Sequence, residues 1–516
     1  MSERNVSFGE DSTTSQEGNE KETMQPKAQQ PRSVFREILF LAVLCSAQLF
    51  TQSALAMTIL PQHLIGLSLG IADDAGKLSW TAAGYSLTVG TFILIAGRLG
   101  DVFGYKRFFV GGFLWFSLWS LLAGFAVYSN IIFFAFCRGM QGIGPAFMLP
   151  NAIAIISRAY EPGMKQNLAF SLFGALAPGG FVLGATFSSL LAERVWWPWA
   201  FWVMSAALLL AAVLAMVVVP PTSETRDLME RTEDNSSSIW QRVDIYGSIT
   251  GVASLVLFNF AWNQAPVVGW QVPYTYILLI IGMLLFVVFI LIEKRVRHPL
   301  VPFGVLKIDS VFTLACIAAG WSSFGIYAYY SLDFLQVQRA LSPLLTSAQF
   351  SPAAASGLFA AVTTGLALSR LKASTVMLIA LTFFLTGGLI LSTMDVHQSY
   401  WAQTFPGNLI LPWGMDMSFP AATIILSRSM SREHQGLAAS LVNTFVNYSI
   451  SLSLGVAGTV SSQLEKDGGG TLRGTRGALY LGVGLAGLGV GLALVFWFVE
   501  RFRSEKPSEG TAEEKA

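Results

Sequence analysis

Two ionisable residues stand inside long apolar runs, where a charge is costly. Asp416 lies between Pro412 and Pro420 in one run, and Arg138 lies in another. A carboxyl group in apolar surroundings favours its neutral form, so Asp416 is suited to reversible protonation. The prolines weaken the local helix, so backbone groups there can line a cavity. Asp416 is therefore predicted to couple proton movement, whereas the Arg138 guanidinium must face water or an acid. The alternatives are a structural carboxyl at a broken helix and an arginine that reaches the outer interface.

Four amide side chains could supply hydrogen bonds beside these charges. Asn443 and Asn447 are four residues apart and therefore share a helix face. They could bind a polar substrate, or they could join two helices. Gln141 follows Arg138 by three residues, and Gln52 lies in the first apolar run. We predict that these four amides contribute to a substrate site.

No set of residues for covalent or metal chemistry emerges. The sequence shows no nucleophile–base pair, no His/Cys/carboxylate cluster with metal-ligand spacing and no P-loop. Cys45, Cys137 and Cys316 all fall in apolar segments and are expected to be packing residues. A net charge of +1 argues against nucleic acid as a partner. We expect a monomer that is neither an enzyme nor an ATP-driven pump, has no cofactor or metal, and interacts with a small molecule, protons and lipid.

The composition places these residues in a membrane. The chain is 53% hydrophobic and 12% charged, whereas a soluble domain carries roughly 25% charged residues. About fourteen apolar runs reach the length of about 20 residues that a helix needs to cross a bilayer. Their approximate spans are 38–62, 79–99, 107–127, 131–157, 166–191, 199–219, 244–262, 273–293, 309–332, 348–368, 374–393, 403–426, 436–461 and 477–499.

Lys and Arg concentrate on one side of this predicted arrangement. With the N-terminus inside, the tails and inner loops hold 25 of the 32 Lys and Arg residues, and Arg138 lies within a span. The six in outer loops are Lys77, Arg194, Arg339, Lys466, Arg473 and Arg476. Because positive loops favour the cytoplasmic side, both termini are predicted to be inside.

Polar segments divide the chain into predicted units. We predict a cytoplasmic tail at 1–37, a six-helix bundle at 38–219, a linker at 220–243, an extra helix pair at 244–293, a second six-helix bundle at 294–499 and a tail at 500–516. Two six-helix halves around a central site are typical of secondary transporters.

A glycine-punctuated turn follows the second run. It contains Gly97, Asp101, Gly104 and Arg107 between two apolar segments. The turn resembles the G-x-L-a-D-r-x-G-r-k-x-x pattern of the major facilitator superfamily of transporters. The resemblance implies a latch at the cytoplasmic side of two moving helices.

Two further stretches resemble motifs of the same superfamily. Arg138 and Gln141 match a fourth-helix motif, R-x-x-Q-G-x-G, in which the arginine serves proton transfer. The fifth helix resembles the antiporter motif of exporters through Gly174, Pro178, Gly179, Gly180 and Gly184. There, Ala177 replaces the glycine before the proline. An ordinary kinked, tightly packed helix is the alternative for this stretch.

The whole chain is similar to the fourteen-helix drug:proton antiporter family. Residues 177–181, 400–420 and 435–451 look like the fungal aminotriazole-resistance branch, which includes boron exporters. The resemblance implies an all-α membrane protein with the major facilitator fold, two six-helix bundles plus an extra helix pair, that exports a drug, toxic compound, fungal metabolite or borate by proton antiport. It implies a plasma-membrane or vacuolar location.

One departure leaves a second activity open. Many fourteen-helix exporters carry an acid in the first helix, and here Gln52 occupies that place. Glutamine cannot exchange a proton, so coupling must use other residues such as Asp416. A proton-coupled importer or a facilitator on the same fold is the alternative function.

Overall fold

The protein is helical throughout the part of the chain that the computed structural model describes. That part comprises residues 33–71, 75–161, 163–220, 244–296, 299–301, 303–304, 306–429 and 435–505, and it contains no strand. The predicted linker beyond residue 220 and most of both predicted tails lie outside these ranges.

Among the described residues, thirteen apolar helical stretches are long enough to cross a bilayer, and the last of them contains two helices, so fourteen helices match the predicted number. They are α1 Val34–Ile59, α2 Ala75–Phe103, α3 Tyr105–Phe125, α4 Ile131–Ala159, α5 Met164–Arg194, α6 Pro198–Val218, α7 Ile245–Val268, α8 Pro273–Glu293, α9 Ile308–Val337, α10 Pro352–Arg370, α11 Ala373–Ser392, α12 Thr404–Ser429, α13 Gln435–Leu464 and α14 Gly470–Glu505. The last two belong to one apolar stretch, which turns back at Gly468 and Gly470, with φ values of 81° and 68°. Short helices at Gln62–Ser68 and Pro343–Phe350 precede α2 and α10.

The outermost helix ends differ from the predicted spans. α1 begins at Val34 rather than at 38. The Ser33 side chain accepts a hydrogen bond from Arg36 N (3.4 Å) and caps this first turn. α14 continues to Glu505 rather than ending at 499. Hydropathy underestimates both helices because their polar terminal turns extend beyond the apolar core.

The helices form two six-helix bundles. In the first, α1 packs on α5, α2 on α4, and α3 on both α4 and α6. In the second, α9 packs on α13 and α14, and α12 packs on α10 and α11. The bundles meet along two seams, α2 against α13 and α5 against α10. We call the ends of the helices that face the predicted cytoplasm inner and the opposite ends outer.

The extra pair lies on the first seam. α7 packs against α2 and α13, whereas α8 packs mainly on α7 and turns most of its apolar side chains outward. Trp80 Nε1 on α2 donates to Gln264 Oε1 (3.1 Å), and Asn263 Nδ2 donates to the carbonyl of Ser451 on α13 (3.1 Å). α7 is therefore attached to both bundles.

Candidate functional site

Asp416 lies where α5, α10 and α12 meet between the bundles. Its residue is partly buried, and Oδ2 is buried without a hydrogen-bond partner among the described residues. A Cβ built on Gly357 of α10 would lie 3.0 Å from this oxygen and 2.5 Å from Pro178 Cγ of α5. The structure therefore brings together the predicted acid and the predicted motif proline, and gives the acid no fixed counter-charge.

The surroundings of Asp416 are apolar and closed in this conformation. A cavity of about 20 Å³, room for one water molecule, lies next to Met415, the residue before the acid. It is lined by Pro178, Phe181, Phe324, Phe350, Leu411 and Met415, together with neighbouring residues of α10 and α12. Trp413 Nε1 donates to Ser356 Oγ (3.1 Å), which fixes α12 against α10. An anionic carboxylate is poorly solvated here, so a proton or a donor group stabilises it.

Arg138 lies elsewhere, inside the first bundle. It is fully buried on α4 and donates to three helices. Nε donates to Thr81 O (2.9 Å) and Nη2 to Ala54 O (2.7 Å), while the guanidinium lies 4.6 Å from the ring centre of Tyr85. Nη1 donates to Gln141 Oε1 (2.5 Å). In the described chain no carboxylate pairs with Arg138. The proton-coupling role stays a prediction, and the geometry shows an anchor between α1, α2 and α4.

The four predicted substrate amides lie on three helices, and their described side-chain hydrogen bonds go to different groups. Gln141 is fully buried and donates to Ser120 Oγ (2.7 Å) as well as accepting from Arg138. Asn443 Nδ2 and Asn447 Nδ2 donate to carbonyls four residues earlier in α13, each at 3.0 Å. These two amino groups are therefore bonded within their own helix rather than to a neighbouring one. Gln52 is partly buried on α1. The substrate-contact role of these residues stays a prediction.

The α5 motif separates into parts with different contacts. A Cβ on Gly180 would lie 2.5 Å from Leu49 O of α1, and one on Gly184 would meet the Ser53 backbone. In contrast, a Cβ on Gly174 or Gly179 would meet nothing within 4 Å. Two glycines therefore let α5 approach α1, while Pro178 faces the other bundle.

The glycine turn at the inner ends of α2 and α3 is bonded mainly within the first bundle. Asp101 Oδ1 accepts from Tyr105 OH (2.5 Å), and that hydroxyl accepts from Arg158 Nη2 (2.7 Å). Arg107 is exposed, and Gly104 separates the helices with φ 101°. Among the predicted latch residues, Gly97 faces the second bundle: a Cβ on it would lie 3.4 Å from Ser440 Oγ on α13.

Sequence reasoning missed the groups that join the bundles at their outer ends. His63 Nε2 lies 2.9 Å from Asp333 Oδ1 of α9, and Gln62 Nε2 donates to the same oxygen (3.1 Å). Gln336 Nε2 donates to Leu60 O (2.7 Å). We call this set, which joins residues 60–63 after α1 to α9, the outer contact. An acid near a predicted helix end was the available signal, but nothing in the sequence names its partner.

The second seam is closed at the same end. Leu344 N, before α10, donates to Glu193 Oε1 of α5 (2.5 Å), and the hydroxyls of Thr186 and Ser347 lie 2.8 Å apart. The two bundles are therefore hydrogen-bonded at their outer ends in two places, at the outer contact and at the α5–α10 seam.

Two bundles of six membrane-length helices are typical of secondary membrane transporters. The chain belongs to the Major Facilitator Superfamily, whose sequence profile matches residues 42–415. The predicted superfamily membership and fold are therefore confirmed.

The names of three similar proteins describe different activities. The chain is 56% identical to a low affinity ammonium transporter of Saccharomyces cerevisiae, over 93% of this chain and 92% of that protein. It is 46% identical to the efflux pump terJ of Aspergillus terreus, with the same coverages. It is 36% identical to the aminotriazole resistance protein of S. cerevisiae, over 92% and 87%. The predicted resemblance to the aminotriazole-resistance branch is confirmed.

A solved structure has the same fold. A peptide transporter, POT, crystallised in complex with sulfate, superposes with a TM-score of 0.59 at 14% identity. The alignment covers 90% of this chain and 94% of that one. At this identity the likeness concerns the fold alone.

Proposed function

We propose that this transporter exports small molecules by proton antiport, with Asp416 as the proton-binding group. The observation that carries the proposal is the buried, unpartnered Oδ2 of Asp416 at the seam between bundles, against Pro178 and Gly357. A carboxyl group there changes its surroundings when the bundles move. Its proton affinity is therefore coupled to the conformation of the protein.

In this mechanism a proton binds Asp416 when the seam opens outward and leaves when it opens inward. The neutral acid favours the closed, apolar interface, whereas the charged acid favours the water-filled one. Substrate occupies the space between the bundles, with Gln52, Asn443 and Asn447 as proposed contacts. Arg138 and Gln141 hold α1, α2 and α4 together as one moving unit.

The proposed cargo is a drug, toxic compound, fungal metabolite or borate, moved by a monomer in the plasma membrane. The vacuolar membrane is the alternative site. The names of efflux and resistance relatives support export.

A proton-coupled importer or facilitator of a small cation is the second candidate. The 56% identity to a low affinity ammonium transporter favours it, and Gln52 in place of a first-helix acid is compatible with it. A panel of labelled aminotriazole, borate and methylammonium in cells with and without the chain separates the two. Lower accumulation in expressing cells supports export, and higher accumulation supports uptake.

The proton step is tested by Asp416→Asn in purified protein reconstituted into liposomes. We expect flux driven by a pH gradient to fall at least tenfold, because the amide cannot release a proton at this site. Asp395→Asn, which changes an exposed acid in an outer loop, is the matched control and should retain wild-type flux. Undiminished pH-driven flux in the Asp416 variant would remove this residue from the coupling mechanism.

A further inference from the structure

Besides Asp416, two further acids are buried. They form a pair at the inner ends of α7 and α8. Asp244 precedes the first turn of α7, and Glu293 ends α8. Each residue is only 3% exposed. The proton-antiport proposal uses neither of them.

Each carboxyl group uses one oxygen to accept a backbone hydrogen bond. Gly247 N donates to Asp244 Oδ1 (3.0 Å), and Val301 N donates to Glu293 Oε2 (3.0 Å). The remaining oxygens, Asp244 Oδ2 and Glu293 Oε1, are buried and have no donor among the described residues.

These two remaining oxygens face the same small space. A Cβ built on Gly247 would lie 2.7 Å from Glu293 Oε1 and would also contact Asp244 Oδ2. Two ionised carboxylates cannot remain buried in contact, because both are desolvated and they repel each other. One proton between them removes the repulsion and supplies the missing donor.

No positive charge replaces that proton in the described surroundings. Lys294 and Arg295 follow Glu293 directly but are exposed. From the segment between α8 and α9, the group that faces Glu293 is the backbone N–H of Val301. α2 and α13, which also pack on α7, direct no described charged group at Glu293, and Asp244 is the charged group that acts on it.

We propose that Asp244 and Glu293 together bind one proton, forming a proton-binding site at the inner ends of the extra helix pair. The site joins the start of α7 to the segment between α8 and α9, because Glu293 Oε2 also accepts a hydrogen bond from Val301 N. Loss of the proton leaves two facing carboxylates, and their repulsion weakens the connection between α7 and the segment that contains Val301. The extra pair thereby responds to the pH on the inner side, independently of Asp416.

The test is the pH dependence of thermal unfolding of the full-length protein in detergent. The proton binds the folded pair and not the separated acids, so the wild-type melting temperature should fall as pH rises from acidic to alkaline. Glu293→Gln carries a neutral amide that can donate to Asp244, so this part of the slope should disappear. Asp244→Asn reverses the direction of the donation and should give the same result.

A control and a spectroscopic readout complete the test. Glu161→Gln changes an exposed acid and should retain the wild-type slope. Infrared difference spectra between acid and alkaline samples should show a neutral carboxylic acid band that Glu293→Gln lacks. Equal slopes in wild type and both acid variants, or a band unchanged by Glu293→Gln, would overturn the proposal. These readouts need no transport, so they stand apart from the antiport proposal.

Discussion

Arg138 is a buried cation held by neutral acceptors. Carbonyls from α1 and α2, the Gln141 amide and the Tyr85 ring surround its guanidinium. Dipoles and an aromatic face offset part of the desolvation cost of the charge. The planar fork of arginine reaches several helices at once, which a single ammonium group cannot do.

Arg138→Lys is therefore expected to destabilise the protein. Each buried carbonyl left unpaired costs about 1–3 kcal/mol, so the unfolding transition should shift to clearly lower temperature or denaturant concentration. The measurement is thermal unfolding in detergent, with Arg107→Lys, which changes an exposed arginine, as the control. A variant as stable as wild type that loses only pH-driven flux would instead establish the coupling role.

At the scale of single residues, the sequence predicts which ionisable groups are buried in the membrane span at a cost in free energy, but not which residues surround them. Asp416 is recognisable because a charge inside an apolar span demands an explanation. Its position near Gly357, which also faces Pro178, depends on helices far apart in sequence, and α10 is rich in Ala, Ser and Thr. Tyr105 and Arg158 escape notice because neither residue type is unusual at the inner end of a membrane helix.

Helix α5 makes two different contacts with two different faces. Its glycines at 180 and 184 admit the backbone of α1, and Ser53 Oγ donates to the Gly180 carbonyl (2.7 Å). Its proline faces α10. Small residues that permit such close approach are a common means of packing helices in membranes.

Gly184→Ala should destabilise the protein, because the added methyl group meets the Ser53 backbone and forces α5 away from α1. Overpacking of this kind costs about 1–3 kcal/mol. Gly179→Ala is the matched control in the same motif, with no atom within 4 Å of the new methyl group. It should be neutral or slightly stabilising, since alanine favours helix. Equal melting temperatures for the two variants would contradict this division of the motif.

The sequence predicts the existence of α5 and its glycine pattern, but not which glycine has a partner. Spacing alone allows several packing faces, and the contact is decided by the position of α1. The same holds for α7. Asn263 lies just beyond the predicted span 244–262, and its bond to Ser451 depends on the tertiary placement of the extra pair.

For the molecule as a whole, hydrophobic length predicts the number of helices, whereas long-range contacts define the conformation. Fourteen crossings follow from the length of lipid that each helix must span. The hydrogen bonds that join the bundles at their outer ends could not be predicted, because partners such as His63 and Asp333 carry no shared sequence pattern. Outward opening must break these bonds, so they set part of the energy difference between the two states.

A covalent link at the outer contact should therefore arrest transport. His63→Cys with Asp333→Cys places two thiols where the side chains now meet at 2.9 Å, across the two bundles. After oxidation we expect flux of a transported panel compound in liposomes to stop, and to recover when the disulfide is reduced.

The matched pair is Gln338→Cys with Thr471→Cys, whose side chains hydrogen-bond at 3.1 Å within the second bundle. Oxidising it should leave flux intact because these helices move together. The native cysteines are buried and form a constant background. Full flux through the cross-linked His63–Asp333 variant would show that the outer ends do not separate during transport. It would exclude alternating access by bundle movement at the outer contact.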